Sequence, residues 1–187
     1  MLSLRHRLGI AHALAKGGVI AYPTEAVWGL GADPFNPAAV EKLLALKHRP
    51  AHKGLILVAA DLQQIAPLLV GLSPEQRRQL EGTWPGPVTW LMPDPNHWIP
   101  QGVKGRFDTI AVRVSAHPVV QDLCRLWGGP IISTSANRSG EPALRSEWAM
   151  RRNRLLTVDY VVPGQTQQRK KPSEIRDLQT GRIIRAG

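Results

Sequence analysis

Four short polar segments hold the residue types that could do chemistry. Lys47-His48-Arg49-Pro50-Ala51-His52-Lys53 puts three cations, Lys47, Arg49 and Lys53, within seven residues. Crowded cations repel one another unless they are solvated or given an anion. At about 4 Å, each opposite-charge contact is worth roughly 1 kcal/mol in water and about 4 kcal/mol in a partly desolvated site. The helix macrodipole accounts for Lys47 in a last helical turn, but Pro50 places Arg49 and Lys53 in backbone beyond the helix. A triphosphate would supply the missing charge, and a solvated basic turn would dispense with it. Ser133-Thr134-Ser135-Ala136-Asn137-Arg138-Ser139 packs five hydroxyl or amide side chains into seven residues, which is dense for groups that merely satisfy their own backbone. Pro23-Thr24-Glu25-Ala26-Val27-Trp28-Gly29-Leu30-Gly31 reads either as a ligand-binding turn or as a Thr24–Glu25 capping pair with plain turn glycines. Arg113 interrupts the apolar run Ile110-Ala111-Val112-Arg113-Val114. It must face solvent or meet an anion, because burying a guanidinium unpaired is prohibitive.

Other chemistries are excluded by pattern. There is no GxxxxGK[ST] loop, GxGxxG, GxSxG, HExxH or DxD. His48 and His52 have i, i+4 spacing, but Pro50 breaks the helix that would align them, so no metal site is expected. The lone Cys124 excludes an intramolecular disulfide and a cysteine zinc cluster. A serine hydrolase built on Ser133 or Ser135 with His117 lacks both the nucleophile elbow and an acid partner.

The chain has 187 residues, 43% apolar and 20% charged, which suits a globular protein. Twenty-four Lys and Arg against fourteen Asp and Glu give +10, with a pI near 10.6. Such a balance predicts attraction to nucleic acid, nucleotide phosphates or anionic lipid. Residues 145–185 are the most basic stretch, with ten basic and four acidic residues. Aromatics are only 5%, so a stacking platform for single-stranded bases is poorly supported. No apolar run approaches the roughly 20 residues of a membrane helix. No apolar segment follows Arg5 and Arg7 as a signal peptide would require. The cytoplasm is the expected compartment.

The elements that must position these segments alternate between β runs and helices, which predicts one α/β domain over residues 1–187. Ser3 caps a helix with Leu4, Leu8, Ala11 and Leu14 on one face, closed by Gly17-Gly18. A strand over 19–22 precedes the Thr24 turn. A helix after Pro37, with Val40, Leu43, Leu44 and Leu46 as its stripe, ends before Pro50. Strand 55–60 follows, then a helical stretch over 61–82 broken near Gly71. Strand 88–92 leads into an irregular connection over 93–108, strand 110–114, helix 118–127 and strand 130–132. A basic helix is expected over 144–155, and short strands over 158–162, 173–178 and 182–184. The segment 163–172 has no apolar anchor and reads as mobile. In an open α/β sheet the ligand is expected beyond the carboxyl ends of strands.

In this order the segments resemble the YrdC-type threonylcarbamoyl-AMP synthase family, in its short single-domain bacterial form. The matching residues are Pro23-Thr24-Glu25 with Gly29-Leu30-Gly31, Lys47-His48-Arg49-Pro50, and Trp84-Pro85-Gly86-Pro87-Val88-Thr89. They continue with Asp108-Thr109-Ile110-Ala111-Val112-Arg113, Ser133-Thr134-Ser135-Ala136-Asn137, Pro163-Gly164, Pro172-Ser173-Glu174-Ile175 and Arg185-Ala186-Gly187. The resemblance implies a twisted, mixed, open sheet flanked by helices, with a basic concave cleft. It implies a nucleotidyltransferase that turns L-threonine, bicarbonate and ATP into threonylcarbamoyl-adenylate and pyrophosphate, for modification of tRNA adenosine 37. It also implies site roles. Lys47 and Arg49 act as catalytic residues, while Lys53, Thr109, Ser135, Asn137 and Arg185 bind ATP. Thr24, Arg113, Ser133 and Ser173 bind threonine. Mg²⁺ is expected to travel with ATP, with no protein metal site. A separate tRNA threonylcarbamoyl-transferring complex would receive the product, and tRNA itself is a possible partner. The sequence departs from the family pattern at Ala26, at Val58 and at Ser173-Glu174, where other members carry hydroxyl or histidine contacts. Any closing element would have to come from 163–172. The reading from another class is a non-catalytic module that grips double-stranded RNA or tRNA through the basic charge.

Overall fold

Local chemistry sets the helix boundaries. Ser3 caps α1 (Leu4–Ala15), Asn36 caps α2 (Pro37–Lys47) with Pro37 in its first turn, and Ser73 forms a reciprocal capping box with Gln76 at the start of α3 (Pro74–Glu81). α2 stops at Lys47 because His48 turns left-handed (φ 50°) ahead of Pro50. The computed structural model describes residues 2–153, 156–167 and 173–186. Within them lie three further helices, α4 (Gln101–Lys104), α5 (Pro118–Trp127) and α6 (Glu147–Arg152), a 3₁₀ turn at Ala51–Lys53 and a kinked 3₁₀ segment at Gln63–Leu69.

The described strands are β1 (Ile20–Pro23), β2 (Trp28–Gly31), β3 (Ile56–Ala59), β4 (Val88–Pro93), β5 (Thr109–Val114), β6 (Ile131–Ser135), β7 (Tyr160–Val161), β8 (Glu174–Asp177) and β9 (Ile183–Arg185). They form one open sheet in the order β7-β1-β2-β6-β3-β5-β4-β8-β9. Three neighbouring pairs, β1/β7, β3/β5 and β4/β8, are parallel and the rest antiparallel. The expected mixed, helix-flanked α/β sheet is what the chain forms.

Strand alternation divides the apolar residues between two faces. One face presents Ala21, Leu30, Leu57, Val112 and Ile132 to Val40 and Leu43 of α2 and Leu80 of α3. The other presents Ile20, Tyr22, Val58 and Ile131 to Ile10 and Leu14 of α1 and to Val120, Leu123 and Cys124 of α5. Each fully buried side chain of this kind contributes roughly 1.5–3 kcal/mol. α1 and α5 cover only part of their face. No helix among the described residues is long and apolar enough to cross a membrane.

Several expectations need correction. The stripe read for α1 is rolled: Leu4 and Leu8 are 72% and 63% exposed, while Ile10, Ala13 and Leu14 are buried. Gly9 is the reason. A Cβ there would lie 2.4 Å from the Tyr160 ring, so the helix docks with its glycine against β7 and swings Leu8 outward. Residues 28–31 are a strand and not a turn. Gly29 and Gly31 both fall beside Tyr22, and a Cβ on Gly31 would come within 2.7 Å of that ring. Tertiary crowding thus overrides glycine's poor strand propensity. Within 61–82, Pro67 and a non-helical Ile65 leave two short 3₁₀ pieces that meet at a kink, so only Pro74–Glu81 is α-helical. The connection 93–108 contains α4, and the basic helix shortens to Glu147–Arg152. Of the segment 163–172, residues 168–172 lie outside the described residues. Residues 163–167 are held by both polar and apolar neighbours: the Gly164 N–H donates to Glu147 Oε2 at 3.2 Å, His117 Nε2 meets Gln165 O at 3.2 Å, and Gly164 sits against Pro23 and Val119.

Candidate active site

The uncovered part of the α1/α5 face carries polar groups. Register pairs Gly29 with Ser135, Ile56 with Ser133, and Val58 with Arg113, so these residues share one face. Ser133, Ser135, Ile56, Gly29 and Arg113 line a cavity of about 420 Å³. Thr24 and Glu25 close it after β1, Arg49 after α2, Ser173 before β8 and Arg185 at the end of β9. The cavity therefore sits over the sheet and draws on strand starts as well as strand ends. The reason is the antiparallel pairing of β2 and β3 with β6, which brings both kinds of terminus together.

Among the described residues, Arg49, Arg113, Arg145 and Arg185 border this space against one acidic residue, Glu25. Arg113 Nη1 donates to Glu25 Oε2 at 2.9 Å, and both side chains are buried. Ser115 Oγ donates to Glu25 Oε1 at 2.7 Å. Burial pushes the Glu25 carboxyl up, but Arg113, the Ser115 hydroxyl and the backbone outweigh it and hold the group below its ordinary value. Arg113 Nε is buried and makes no hydrogen bond among the described residues. Arg49 Nε and Nη2 donate to Gly54 O at 3.1 and 2.8 Å, and burial lowers its pKa. Arg185 donates to Ser173 O at 2.7 Å, and its pKa is lowered by burial and then by the Arg113 charge. Guanidinium groups gathered around one partly buried space are arranged for an anion.

A buried clamp positions Gly54. Lys104 Nζ meets Asp94 Oδ2 at 2.9 Å, with the two side chains 2% and 1% exposed. Asp94 also accepts the Trp98 and Ile99 N–H groups. This fixes α4, whose Val103 O accepts from Leu55 N at 2.8 Å, while Arg106 N donates to His52 O at 3.1 Å. Gly54 has φ 62° and lies so close to Lys104 O that a Cβ would approach it to 2.6 Å. The Gly54 carbonyl that Arg49 uses is thus set by an ion pair between Asp94 and Lys104, far downstream in the chain.

The family model described as telomere recombination, for Sua5, YciO and YrdC proteins, matches residues 12–187. The chain belongs to the Sua5/YciO/YrdC family. It is 52% identical over 175 residues to the threonylcarbamoyl-AMP synthase of Cellvibrio japonicus, covering 94% of this chain and 92% of that one. To the same-named protein of Pseudomonas aeruginosa it is 51% identical over 175 residues, with 94% of each covered. The crystal structure of P. abyssi Sua5 complexed with L-threonine shares 30% identity with a TM-score of 0.86, over 96% of this chain and 52% of that one. The chain thus spans about half the length of that Sua5. E. coli YciO, at 24% identity and a TM-score of 0.80 over 92% of its length, shares the fold.

Of the site residues expected from the family resemblance, Thr24, Arg49, Arg113, Ser133, Ser135, Ser173 and Arg185 meet at the cavity. Four do not border it. Lys53 is exposed on its 3₁₀ turn, and Thr109 pairs with Pro93 at the start of β5, four residues and roughly 13 Å along the strand from Arg113. Asn137 Nδ2 donates to Arg138 O and Glu141 O, while its Oδ1 is buried without a partner among the described residues. Lys47 lies behind the wall. Its ammonium donates to Ser135 O and, at 2.7 Å, to Asn137 O, and its own carbonyl accepts the Ser139 N–H at 2.9 Å. Burial, then the Arg49 charge, bring its pKa down to about 8.

The sequence leaves Glu25 open between a ligand-binding turn and a capping pair, and does not single out Arg145. The signal for Glu25 was available: an arginine in a buried strand requires an anion, and Glu25 is the acid in the adjoining polar turn. Thr24 does engage its own turn, donating to Val27 O at 2.7 Å.

Proposed function

We propose that the chain is a threonylcarbamoyl-AMP synthase that uses L-threonine, bicarbonate and ATP. The observation that carries this reading is the convergence of Arg49, Arg113 and Arg185 on one cavity with Ser133 and Ser135. The names of relatives at about half identity over nearly the full chain support it, as does the threonine complex of a related Sua5.

In this reading threonine's amine attacks bicarbonate to form a carbamate with loss of water. A carbamate oxygen then attacks the α-phosphate, forming the mixed anhydride and expelling pyrophosphate. No protein nucleophile is needed, so catalysis rests on positioning and charge neutralisation. Arg113 takes the threonine carboxylate through the guanidinium edge that Glu25 leaves open, while Ser133, Thr24 and Ser173 shape the amino-acid end. A hydroxyl-lined niche discriminates threonine from valine better than an apolar one, because the unmatched polar group would be left unpaired. Arg49 and Arg185 neutralise the phosphates. Lys47 holds the Ser135–Asn137 carbonyls and so shapes the nucleotide side. Among the described residues no cluster of three or more His, Cys, Asp or Glu could hold a metal. Glu25 is already engaged by Arg113 and Ser115, so Mg²⁺ would travel with the ATP phosphates. Transfer of the product to tRNA adenosine 37 by a separate complex completes the reading.

The test is pyrophosphate release with each reactant omitted in turn. Release that needs threonine, bicarbonate and ATP together supports the synthase. Salt-sensitive tRNA binding without such release would favour the non-catalytic RNA module instead.

A further inference from the structure

A hydrogen-bonded chain runs from the cavity floor to the 163–167 segment, and the chemistry above leaves part of it unused. Ser115 follows Arg113 on the same strand face and donates to Glu25 Oε1. The backbone N–H of His117 donates to that same Oγ at 3.1 Å, and Gln121 Nε2 holds Ser115 O at 3.0 Å. Ser115 and His117 are both buried. The His117 ring reaches the other way, with Nε2 3.2 Å from Gln165 O. A carbonyl only accepts, so this assigns the proton to Nε2 and leaves Nδ1, buried without a hydrogen-bond partner among the described residues, as the bare nitrogen. Gly164 sits against Pro23, where a Cβ would lie 2.9 Å from Cγ, and Thr166 Oγ1 approaches the Arg145 carbonyl at 3.5 Å. The 163–167 segment therefore touches the Pro23–Thr24 turn and the cavity-lining Arg145 while His117 grips it from beneath.

We propose that Ser115 and His117 are positioning residues for the amino-acid half of the site, holding Glu25 so that it aims Arg113 and tying that pair to the 163–167 segment. The assignment of a role in substrate binding rests on the reading of Arg113 as the partner of threonine's carboxylate; the coupling to 163–167 does not. Neither residue touches substrate in this scheme. Ser115 acts through Glu25, and His117 acts through the Ser115 hydroxyl and the Gln165 carbonyl.

Ser115→Ala, His117→Ala and His117→Gln in the full chain test this. Steady-state pyrophosphate release gives the KM for threonine and for ATP separately, and hydrogen exchange at amides 164–166 is followed without ligands. Removing one buried hydrogen bond to a charged group corresponds to about tenfold. Ser115→Ala should therefore raise the threonine KM about tenfold and leave the ATP KM within twofold. It should also speed exchange at 164–166. His117→Ala keeps the backbone N–H that Ser115 Oγ accepts and loses only the ring's bond to Gln165 O. It should therefore speed exchange at 164–166 with a smaller rise in the threonine KM, and His117→Gln, whose side-chain amide can donate to the same carbonyl, should restore most of the protection. Unchanged exchange at 164–166 in Ser115→Ala, or equal rises in both KM values, would overturn the proposal. If the wild-type protein shows no threonine-dependent release, the proposed function fails, and the exchange comparison alone still decides the coupling.

Discussion

Glu25 and Arg113 are the pair on which the site's electrostatics turn. Removing the acid would strand a buried guanidinium, so Glu25→Gln is expected to cost about 3–5 kcal/mol of stability in urea unfolding. The sign with pH follows from linkage. Glu25 is held below the ordinary carboxylate value of 4.5 in the folded chain. The unfolded chain therefore takes up the proton first, and the stabilisation present above about pH 4.5 is lost as pH falls through the folded value. Lys47 behaves differently. With its pKa brought down to about 8, it loses charge on the alkaline side of neutrality, and its grip on the Ser135 and Asn137 carbonyls weakens. An alkaline limb near pH 8 is expected in kcat/KM for ATP, displaced upward by Lys47→Arg. Stability moves the opposite way. Between about pH 8 and the ordinary 10.5 the unfolded chain binds the extra proton, so the Lys47 contribution to stability rises with pH while activity falls. Thermal unfolding followed alongside the rate profile separates the two.

At the scale of elements, the connection 93–108 shows how a distant loop sets a functional side chain. Lys104→Met would leave Asp94 buried and unpaired, with an expected loss of about 3–5 kcal/mol. Because α4 also fixes Gly54, milder changes there should raise the ATP KM through Arg49. A Gly54→Ala variant measured at a temperature where it remains folded checks that link. α1 makes the complementary point. Leu4 and Leu8 form an i, i+4 pair that reads as buried, yet both face solvent. Leu8→Glu is expected to change unfolding free energy by no more than about 0.5 kcal/mol, whereas Leu14→Ala should cost roughly 2–5 kcal/mol. Equal losses in the two variants would contradict the roll of the helix about Gly9.

For the whole molecule, a sheet covered by helices on one face and half-covered on the other leaves a polar basin where cations from separate elements meet. Such a site stabilises the fold by mass action when filled. ATP and threonine, each at about 100 times its Kd, should each add about 2.7 kcal/mol to unfolding free energy. Arg113→Ala should abolish the threonine increment and leave the ATP increment largely intact, as calorimetry or thermal-shift midpoints would report. Loss of both increments together would mean that the cavity is not divided between the two ligands as proposed.

The sequence by itself determined the alternation of strands and helices, the helix caps, and the polar segments at 24, 49, 113, 133–135, 173 and 185 that meet at the cavity. These follow from local periodicity, turn chemistry and charge, which any short window of the chain carries. Only the tertiary structure decided that Gly29 and Gly31 form a strand, that Leu8 points outward, that Lys47 grips carbonyls behind the wall, and that Glu25 belongs to Arg113 rather than to a cap. Each of those depends on what packs opposite a residue: the Tyr22 ring, the Tyr160 ring, the Ser135 and Asn137 carbonyls, the Arg113 guanidinium. A linear chain states which groups are present, and only the folded sheet brings residues 25 and 113 within hydrogen-bonding reach.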